Sequence, residues 1–392
     1  MRAAGSANVR FEFATAGRIV FGAGTAAHAP STVLALGSKP LLVTGRDTAR
    51  AQWLIDAFEA AGTPCEVTSI TGEPDVEAVR HGSAHARLAG CDVVVGLGGG
   101  SAIDAAKAIA ALATNDGDPL DYLEVVGRGQ PLARTPLPVV AIPTTAGTGS
   151  EVTRNAVLAV PGARVKASLR SPLMIPRVAI VDPGLTLELP PGDTAHTGLD
   201  ALTQLIEPFL SVRSNAMTDA LCREGLPKVA RALRRAYADG RDIDARADMA
   251  LASLFGGLAL ANAGLGAVHG CAAPIGGRFQ APHGAVCAAL LVPVWTVNAR
   301  ALRERAADTP AAARLDEIGR LLTGCSTATA GDAQRWLSET TQGLGIRGLA
   351  AYGVGAHDVD DLVAEAARAS SMKGNPIALT PDELREALTS AL

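Results

Sequence analysis

The sequence predicts an α/β domain followed by an all-helical domain. Short apolar runs rich in Val, Ile and Leu alternate with helical patterns in the first half, and strand signals nearly vanish after about residue 190. Three prolines cluster between residues 183 and 191, where the pattern changes. Buried strands that alternate with helices indicate parallel β-α-β units. We therefore expect a doubly wound parallel sheet in residues 1–187 and an all-α domain in residues 188–392.

The elements of the first half follow one another regularly. Strands are predicted over 40–44, 65–67, 92–95 and 138–142, with helices over 49–61 and 76–88 and a third helix from residue 101. In the second half, apolar residues at helical spacing predict helices over 194–209, 217–238, 245–261, 311–322, 333–342 and 358–369. An α/β unit beside a helical unit leaves a cleft between them, and such clefts are favoured ligand sites.

Composition excludes several classes of protein. The 392 residues carry 35 Lys and Arg against 39 Asp and Glu, and 48% of them are hydrophobic. This balance indicates a folded globular chain without the concentrated positive charge that nucleic acid requires. Residues 249–277 contain no Asp, Glu, Lys or Arg, but we expect Pro274 to break any helix there. A buried helix that leads into a functional loop therefore fits this stretch better than a membrane span.

Cysteine usage predicts the compartment. The six cysteines are widely spaced, with no C-x-x-C pair, and the first ten residues lack the pattern of a signal peptide. Free thiols in a reducing compartment are the default for such a chain, so we expect a cytoplasmic protein.

A glycine-rich turn follows the strand over 92–95. Gly98, Gly99 and Gly100 lead into a helix, where Ser101 is placed to cap the N-terminus and Asp104 has the position of a capping-box acid. Glycines let backbone N–H groups approach an anion at a helix N-terminus. The turn therefore predicts phosphate binding, although a tight, well-capped β-α turn has the same appearance.

A second polar loop follows the strand over 138–142. It carries Thr144, Thr145 and Thr148 and lies at the carboxyl edge of the expected sheet, where open α/β folds bind ligands. A polar turn has the same composition. Together with the glycine turn, it predicts two loops that face one nucleotide.

Four polar side chains of the second half suit a metal ion. Asp200 and Gln204 are spaced to share one helix face, while His269 and His283 flank a turn-rich stretch. One carboxylate and two imidazoles fit a first-row divalent ion with open positions, whereas a neutral amide oxygen is a poorer ligand. Asp and His on separate helices are also common where no metal binds.

Taken together, these segments resemble the iron-containing (group III) alcohol dehydrogenase family along almost the whole chain. The resembling segments are RIVFGAG at 18–24, GGGSAIDAAK at 98–107, IPTTAGTGSE at 142–151, AIVDP at 179–183, the helix around Asp200, HGCAAPIGGRFQAPHG at 269–284 and GNP at 374–376. The resemblance implies the dehydroquinate synthase-like fold and hydride transfer between NAD(P) and a small alcohol or aldehyde, beside a divalent metal, Zn²⁺ or Fe²⁺. It also implies a homodimer or a higher homo-oligomer.

The resemblance assigns cofactor roles residue by residue. The glycine turn with its serine holds the pyrophosphate in the family, the threonine loop lies opposite, and a lysine near the ribose matches Lys166. Family members with an Asp after the second strand favour NAD, because a carboxylate repels a 2′-phosphate. Gly45 stands in its place here and Arg46 follows, so we expect NADP(H) rather than NAD(H). The cofactor-binding candidates are thus Gly45, Arg46, Gly98, Gly99, Gly100, Ser101, Asp104, Thr144, Thr145, Thr148 and Lys166.

The chain departs from the family's metal set of one Asp and three His. Asp200, His269 and His283 match, but Gln204 replaces one histidine, and Ala273 replaces a further histidine near the nicotinamide. In one alternative, three strong ligands and the Gln oxygen hold an ion that polarises the substrate oxygen. In the other, His269 or His283 acts as a general acid without metal, as in a maleylacetate-type reductase of oxo-acids. A nucleotide-binding protein without catalysis is a third alternative.

Overall fold

A six-stranded parallel sheet forms the centre of the first half in the computed structural model, which describes residues 10–279 and 281–392. The order of its strands is β1-β8-β5-β4-β2-β3. The strands of the chain are β1 (Arg18–Phe21), β2 (Pro40–Gly45), β3 (Glu66–Ile70), β4 (Val93–Gly98), β5 (Val139–Pro143), β6 (Asn155–Val160), β7 (Val165–Arg170) and β8 (Val178–Val181).

Helices cover both faces of this sheet. Leu41 and Val43 of β2 pack on one face with Ile109, whereas Leu42 packs on the other with Phe58. Successive side chains of a strand point to opposite faces, so a run of buried residues requires cover on both sides. The doubly wound parallel sheet predicted from the sequence is confirmed. The helices of this half are α1 (Ala29–Leu34), α2 (Gln52–Ala60), α3 (Val76–Ala89), α4 (Gly100–Thr114) and α5 (Pro119–Tyr122).

A two-stranded antiparallel hairpin, β6 and β7, was not among the predicted elements. Alternate residues of β6, namely Ala156, Leu158 and Val160, are buried in the same core as α4. Their period of two is the mark of a strand buried on one face, but a run of six residues with small side chains carries this signal weakly. The hairpin joins the core that supports the two predicted nucleotide loops.

The second half is helical, as predicted. Its central core contains Leu202, Leu205 and Phe209, which pack against Leu226 and Leu233. The six predicted helices are all present, with shifted ends, and α9, α10 and α14 are additional. The helices are α6 (Pro191–Leu210), α7 (Ala216–Ala238), α8 (Ile243–Ala263), α9 (Ala267–Arg278), α10 (His283–Arg305), α11 (Pro310–Thr323), α12 (Ala330–Gly343), α13 (Val359–Ala366) and α14 (Pro381–Ser390).

The prediction that Pro274 breaks any helix within residues 249–277 is wrong. Helix α9 runs through Pro274, and the direction changes earlier, because α8 and α9 meet at an angle of 96°. Proline removes one backbone hydrogen bond, here the one to the carbonyl of Gly270, and burial of α9 in a helical core compensates for that loss. His269 therefore lies on a helix rather than beside a turn-rich stretch.

Within residues 10–279 and 281–392, one helix has the length and apolar composition of a membrane span. It is α10, and 72% of its most apolar window is buried within the protein. The α8 and α9 pair passes the same test only when the bent pair is taken as one span. Core helices often have such a composition, so this is weak evidence for a span.

Candidate active site

The two predicted nucleotide loops lie side by side at one edge of the sheet. Strands β4 and β5 are parallel neighbours, with Gly98 opposite Pro143 in register. The backbone N–H of Thr144 donates to the carbonyl of Gly98 over 2.9 Å. Because parallel strands end at the same edge, the segments that follow them are brought together at the carboxyl ends, the usual ligand edge of such a sheet.

The glycine turn leaves the N-terminus of α4 free. Helix α4 begins at Gly100 with Gly99 as its N-cap, and no side chain in the described part of the chain caps it. The prediction that Ser101 is the cap is wrong, since Ser101 is already the second helical residue. The first N–H groups of a helix have no intrahelical partner, so here they remain free for an anion.

Asp104 does not close a capping box. Its carboxylate accepts from the backbone N–H of Val157 over 2.9 Å and from the hydroxyl of Ser150. The fully buried ammonium of Lys107 lies 3.0 Å from the Asp104 carboxylate and donates to the carbonyl of Ser150 over 3.0 Å. These contacts tie α4 to the end of the threonine loop, so Asp104 holds the loop in place rather than completing the helix N-terminus.

The threonine loop packs directly on the glycine turn. A Cβ at Gly100 would lie 2.7 Å from Cγ2 of Thr148, and one at Gly99 would lie 3.4 Å from Cγ2 of Thr145. A distance below 3.0 Å is a clash, so a side chain at position 100 would force Thr148 to shift. The two loops share one surface.

The same loop reaches the helical half. The Cα of Gly257, on α8, lies 2.4 Å from the position that a Cβ on Gly149 would take. A Cβ on Gly147 would lie 2.7 Å from Cβ of Thr197, which precedes Asp200 by three residues on α6. The threonine loop therefore lies within one helical turn of the predicted metal ligand, and the two predicted parts of the site meet where the two halves are in contact.

The predicted metal residues converge from three helices. Asp200 comes from α6, His269 from α9 and His283 from the first residue of α10. Oδ1 of Asp200 lies 3.3 Å from Nε2 of His269 and 3.8 Å from Nε2 of His283. The Asp200 side chain is 2% exposed and that of His283 is 38% exposed, so His283 forms the solvent-accessible side of the cluster.

Two further members of the cluster were not predicted from the sequence. Cys287 follows His283 by one turn of α10, and its Sγ lies 3.6 Å from Nε2 of His283. Glu207 follows Asp200 by seven residues on α6, and its carboxylate accepts from Nδ1 of His269 over 2.7 Å. The sequence contains a signal for both residues, because residues three, four or seven positions apart share a helix face. Glu207 has this spacing from Asp200, and Cys287 has it from His283.

Glu207 and Asn375 hold His269 in place. The second oxygen of Glu207 accepts from the backbone N–H of Val268 over 2.7 Å. Asn375, part of the GNP segment, accepts from the N–H of Ala267 over 3.0 Å. With Nδ1 bonded to Glu207, His269 presents Nε2 to the cluster, which is the arrangement that carboxylates impose on metal-binding histidines.

Opposite charges stabilise one another in the cluster. Burial alone lowers the pKa of His269, but Cys287, Glu207 and Asp200 raise that pKa well above its ordinary value. Cys287 is likewise the largest influence that raises the pKa of His283 to about 9. Burial raises the pKa of Asp200, yet the neighbouring His269 and His283 bring it below its usual range. The site therefore favours the anionic carboxylate that a cation binds.

The residues present fit a divalent metal. Oδ1 of Asp200, Nε2 of His269 and Oε1 of Gln204 are buried and have no hydrogen-bond partner in the described residues. Unpaired buried polar atoms are costly, so Oδ1 of Asp200 and Nε2 of His269, which lie 3.3 Å apart, indicate a missing partner between them. In a tetrahedral site with bonds of about 2.0–2.1 Å, nitrogen and oxygen ligands are separated by about 3.3–3.4 Å. The Asp200–His269 distance has this value, and His283 lies slightly further out.

The remaining predicted cofactor-binding residues lie at the end of β2 and on β7. Gly45 ends β2, and a Cβ on Gly98 would lie 3.6 Å from its backbone nitrogen, while Arg46 is exposed. Lys166 on β7 pairs with Glu73 at 3.1 Å and lies against Gly276 of α9. The ammonium that the resemblance places near the ribose is thus engaged by a carboxylate.

Two family models match the two halves of this chain. Residues 16–183 match the family model "Iron-containing alcohol dehydrogenase", and residues 194–392 match "Fe-containing alcohol dehydrogenase family, C-terminal". Alcohol dehydrogenase 4 of Schizosaccharomyces pombe is 36% identical over 379 residues, which cover 95% of this chain and 87% of that protein.

Solved structures agree with these matches. A crystal structure of 1,3-propanediol oxidoreductase has a TM-score of 0.87 at 33% identity, with 98% of this chain and 100% of that chain covered. Sulfoacetaldehyde reductase from Bifidobacterium kashiwanohense, in complex with NAD⁺, has a TM-score of 0.87 at 29% identity, with 98% and 99% covered. The chain is an NAD(P)-dependent oxidoreductase that acts on alcohols. It belongs to the iron-containing alcohol dehydrogenase family.

Proposed function

We propose that this dehydrogenase transfers hydride between the nicotinamide of NADP(H) and a small alcohol or aldehyde at the Asp200, His269 and His283 cluster. The observation that carries the proposal is the contact of Gly147 with Thr197. It brings the loop beside the free N-terminus of α4 to within one turn of Asp200, so a dinucleotide bound at the loops extends toward the cluster.

The cluster residues would hold a divalent ion. When bound, such an ion supplies a Lewis acid for the substrate oxygen. Asp200 supplies negative charge, and Glu207 fixes the ring of His269. When bound, the nicotinamide would supply or accept a hydride at its C4 atom, and the substrate oxygen would gain or lose a proton. Ala273 stands where the family has a further histidine, so no imidazole at this position carries the proton. Because Ala273 is exposed, a water molecule there exchanges the proton instead.

The preference for NADP(H) rests on the end of β2. Gly45 leaves no carboxylate to repel a 2′-phosphate, and the exposed Arg46 offers it a positive charge. The next acidic side chain, Asp47, accepts from the N–H of Ala49 over 3.2 Å. Its carboxylate therefore caps a short helical turn.

A homodimer, a cytoplasmic location and a domain boundary at 187/188 are part of the same proposal. All six cysteines are free, which supports a reducing compartment. The short turn between β8 and α6 supports the boundary. Arg170, at the end of β7, pairs with Glu124 at 3.5 Å, so its charge is already engaged by a carboxylate of the protein. This pairing supports neutral alcohols and aldehydes over oxo-acids as substrates.

The test is oxidation of NADPH with a series of short aldehydes, measured by absorbance after loading with Zn²⁺ or Fe²⁺. We expect turnover that a chelator abolishes and either ion restores. Turnover that survives complete metal removal would instead indicate a maleylacetate-type reductase. Cofactor binding without turnover on any carbonyl would indicate a nucleotide-binding protein.

A further inference from the structure

A thiol lies in the cluster at a position where the family's set of one Asp and three His has none. Cys287 is fully buried on α10, and its Sγ is one of four ligand atoms, with those of Asp200, His269 and His283, that all lie within 4.8 Å of one another. Four atoms this close, from side chains that are all metal donors, form a compact coordination shell.

Gln204 stands where the family has a histidine, and it is engaged differently. Its amide nitrogen donates to Oδ2 of Asp200 over 2.9 Å. Its backbone is held close to α8, since a Cβ on Gly256 would lie 3.2 Å from Cβ of Gln204. The amide thus orients the carboxylate so that Oδ1 points to the cluster, which is a positioning role.

We propose that the thiolate of Cys287 is the fourth protein ligand of the metal ion, in place of the missing imidazole, and that the resulting set selects Zn²⁺ over Fe²⁺. This inference rests on the metal site of the proposed function. The thiol releases its proton to solvent as the sulfur–metal bond forms. Asp200 and Cys287 then supply two negative charges to a divalent ion, and sulfur is the soft donor that favours Zn²⁺.

The distances support this assignment. Tetrahedral ligands with a metal–sulfur bond of about 2.3 Å and a metal–nitrogen bond of about 2.0–2.1 Å leave sulfur and nitrogen about 3.6 Å apart. Sγ of Cys287 and Nε2 of His283 are separated by 3.6 Å. His283 is partly exposed, which would leave room beside the ion for the substrate oxygen as a fifth ligand.

Cobalt substitution tests the assignment directly. The purified protein is stripped of metal, loaded with one equivalent of Co²⁺ and examined by absorption spectroscopy. We expect visible d–d bands together with an intense near-ultraviolet thiolate-to-cobalt charge-transfer band. Cys287→Ser should abolish the charge-transfer band and weaken Co²⁺ binding by about 100-fold or more, because a hydroxyl is a far poorer donor than a thiolate.

Cys271→Ala is the matched control, because Cys271 is equally buried in the same core as Cys287 and lies outside the four-atom cluster. It should retain the charge-transfer band, as should Gln204→Ala. A band that is lost in Gln204→Ala and kept in Cys287→Ser would overturn the inference.

Two results on the unmodified protein also decide the question. The d–d bands without a charge-transfer band would overturn thiolate ligation and leave the metal site of the proposed function standing, whereas no bound Co²⁺ would overturn both. Under equal, oxygen-free concentrations of Zn²⁺ and Fe²⁺, metal analysis should find mostly zinc. A predominance of iron would overturn the selectivity.

Discussion

The nucleotide side of the site presents mainly backbone groups, whereas the metal side presents side-chain atoms. On the nucleotide side, the turn at 98–100 presents backbone and depends on the absence of side chains, since a single Cβ at Gly100 would meet Thr148 at 2.7 Å. On the metal side, Asp200, His269 and His283 present side-chain atoms from three helices. The first side is therefore sensitive to added atoms and the second to removed or altered donor atoms.

The two sides also differ in how they are supported. The loops are tied by charged side chains within one half, chiefly the half-buried Asp104 and the fully buried Lys107. The cluster instead needs residues far apart in the sequence, because Glu207 and Asn375 fix the helix that carries His269. Substitutions on one side should therefore affect cofactor binding and metal binding separately.

Asp200→Asn should have the largest effect. Asn keeps the shape but loses the negative charge and one strong donor, so we expect metal content near zero and a fall in kcat/KM of about 1000-fold. Metal analysis and NADPH oxidation measure both quantities. Binding of NADPH, followed by fluorescence titration, should change little. A parallel loss of cofactor affinity would show that the two sides are not separate.

Gly100→Ala should produce the opposite pattern. The added Cβ displaces Thr148 and obstructs the first turn of α4, so we expect cofactor affinity to fall by about 100-fold with metal content unchanged. Gly331→Ala is the matched control, because Gly331 is also in the first turn of a helix and its Cβ would meet nothing closer than 3.6 Å. Normal NADPH binding by Gly100→Ala would remove the turn from the cofactor site.

The contrast between the nucleotide side and the metal side explains which parts of the site could be predicted from the sequence. The nucleotide side is encoded by consecutive residues such as Gly98 to Gly100, so its position can be read from the sequence alone. The capping role of Ser101 and Asp104 was predicted wrongly, because the carboxylate is used by Ser150 and Val157, which are distant in sequence. Local spacing carries no information about such tertiary partners.

On the metal side, one carboxylate and two imidazoles were predicted, whereas the thiol of Cys287 and the supporting carboxylate of Glu207 were not. Asp200, His269 and His283 are rare residue types in apolar surroundings, so they could be selected individually. Cys287 and Glu207 become significant only when α6, α9 and α10 are packed together. Pro274 was misleading for the same reason, since burial of α9 outweighs a local helix breaker.

Glu151→Gln should remove a loss of folding stability that the natural protein shows at high pH. Glu151 is buried at the end of the threonine loop, near Lys107. Burial raises the pKa of Glu151 to about 7, with Lys107 opposing the shift. The folded state therefore binds a proton more tightly than the unfolded state, and stability falls as pH rises through this range. Between about pH 5.5 and about pH 8.5, the natural protein should lose about 2 kcal/mol that the variant does not lose.

Urea unfolding at the two pH values measures this difference. Glu59→Gln makes the same change at an exposed position of α2 and should follow the natural protein at both. Parallel pH dependence of Glu151→Gln and the natural protein would contradict a protonated Glu151 in the fold.

Arg46→Ala should have the smallest effect. It tests whether the residue after β2 contributes to cofactor selection. Arg46 is exposed, so its attraction for a 2′-phosphate is screened by water, and we expect kcat/KM to fall about 10-fold with NADPH and hardly at all with NADH. Arg177→Ala removes the same charge from an exposed position just before β8, at the opposite edge of the sheet, and should change neither value. An equal loss with both cofactors would show that Arg46 does not contact the 2′-phosphate, because only that group distinguishes the two.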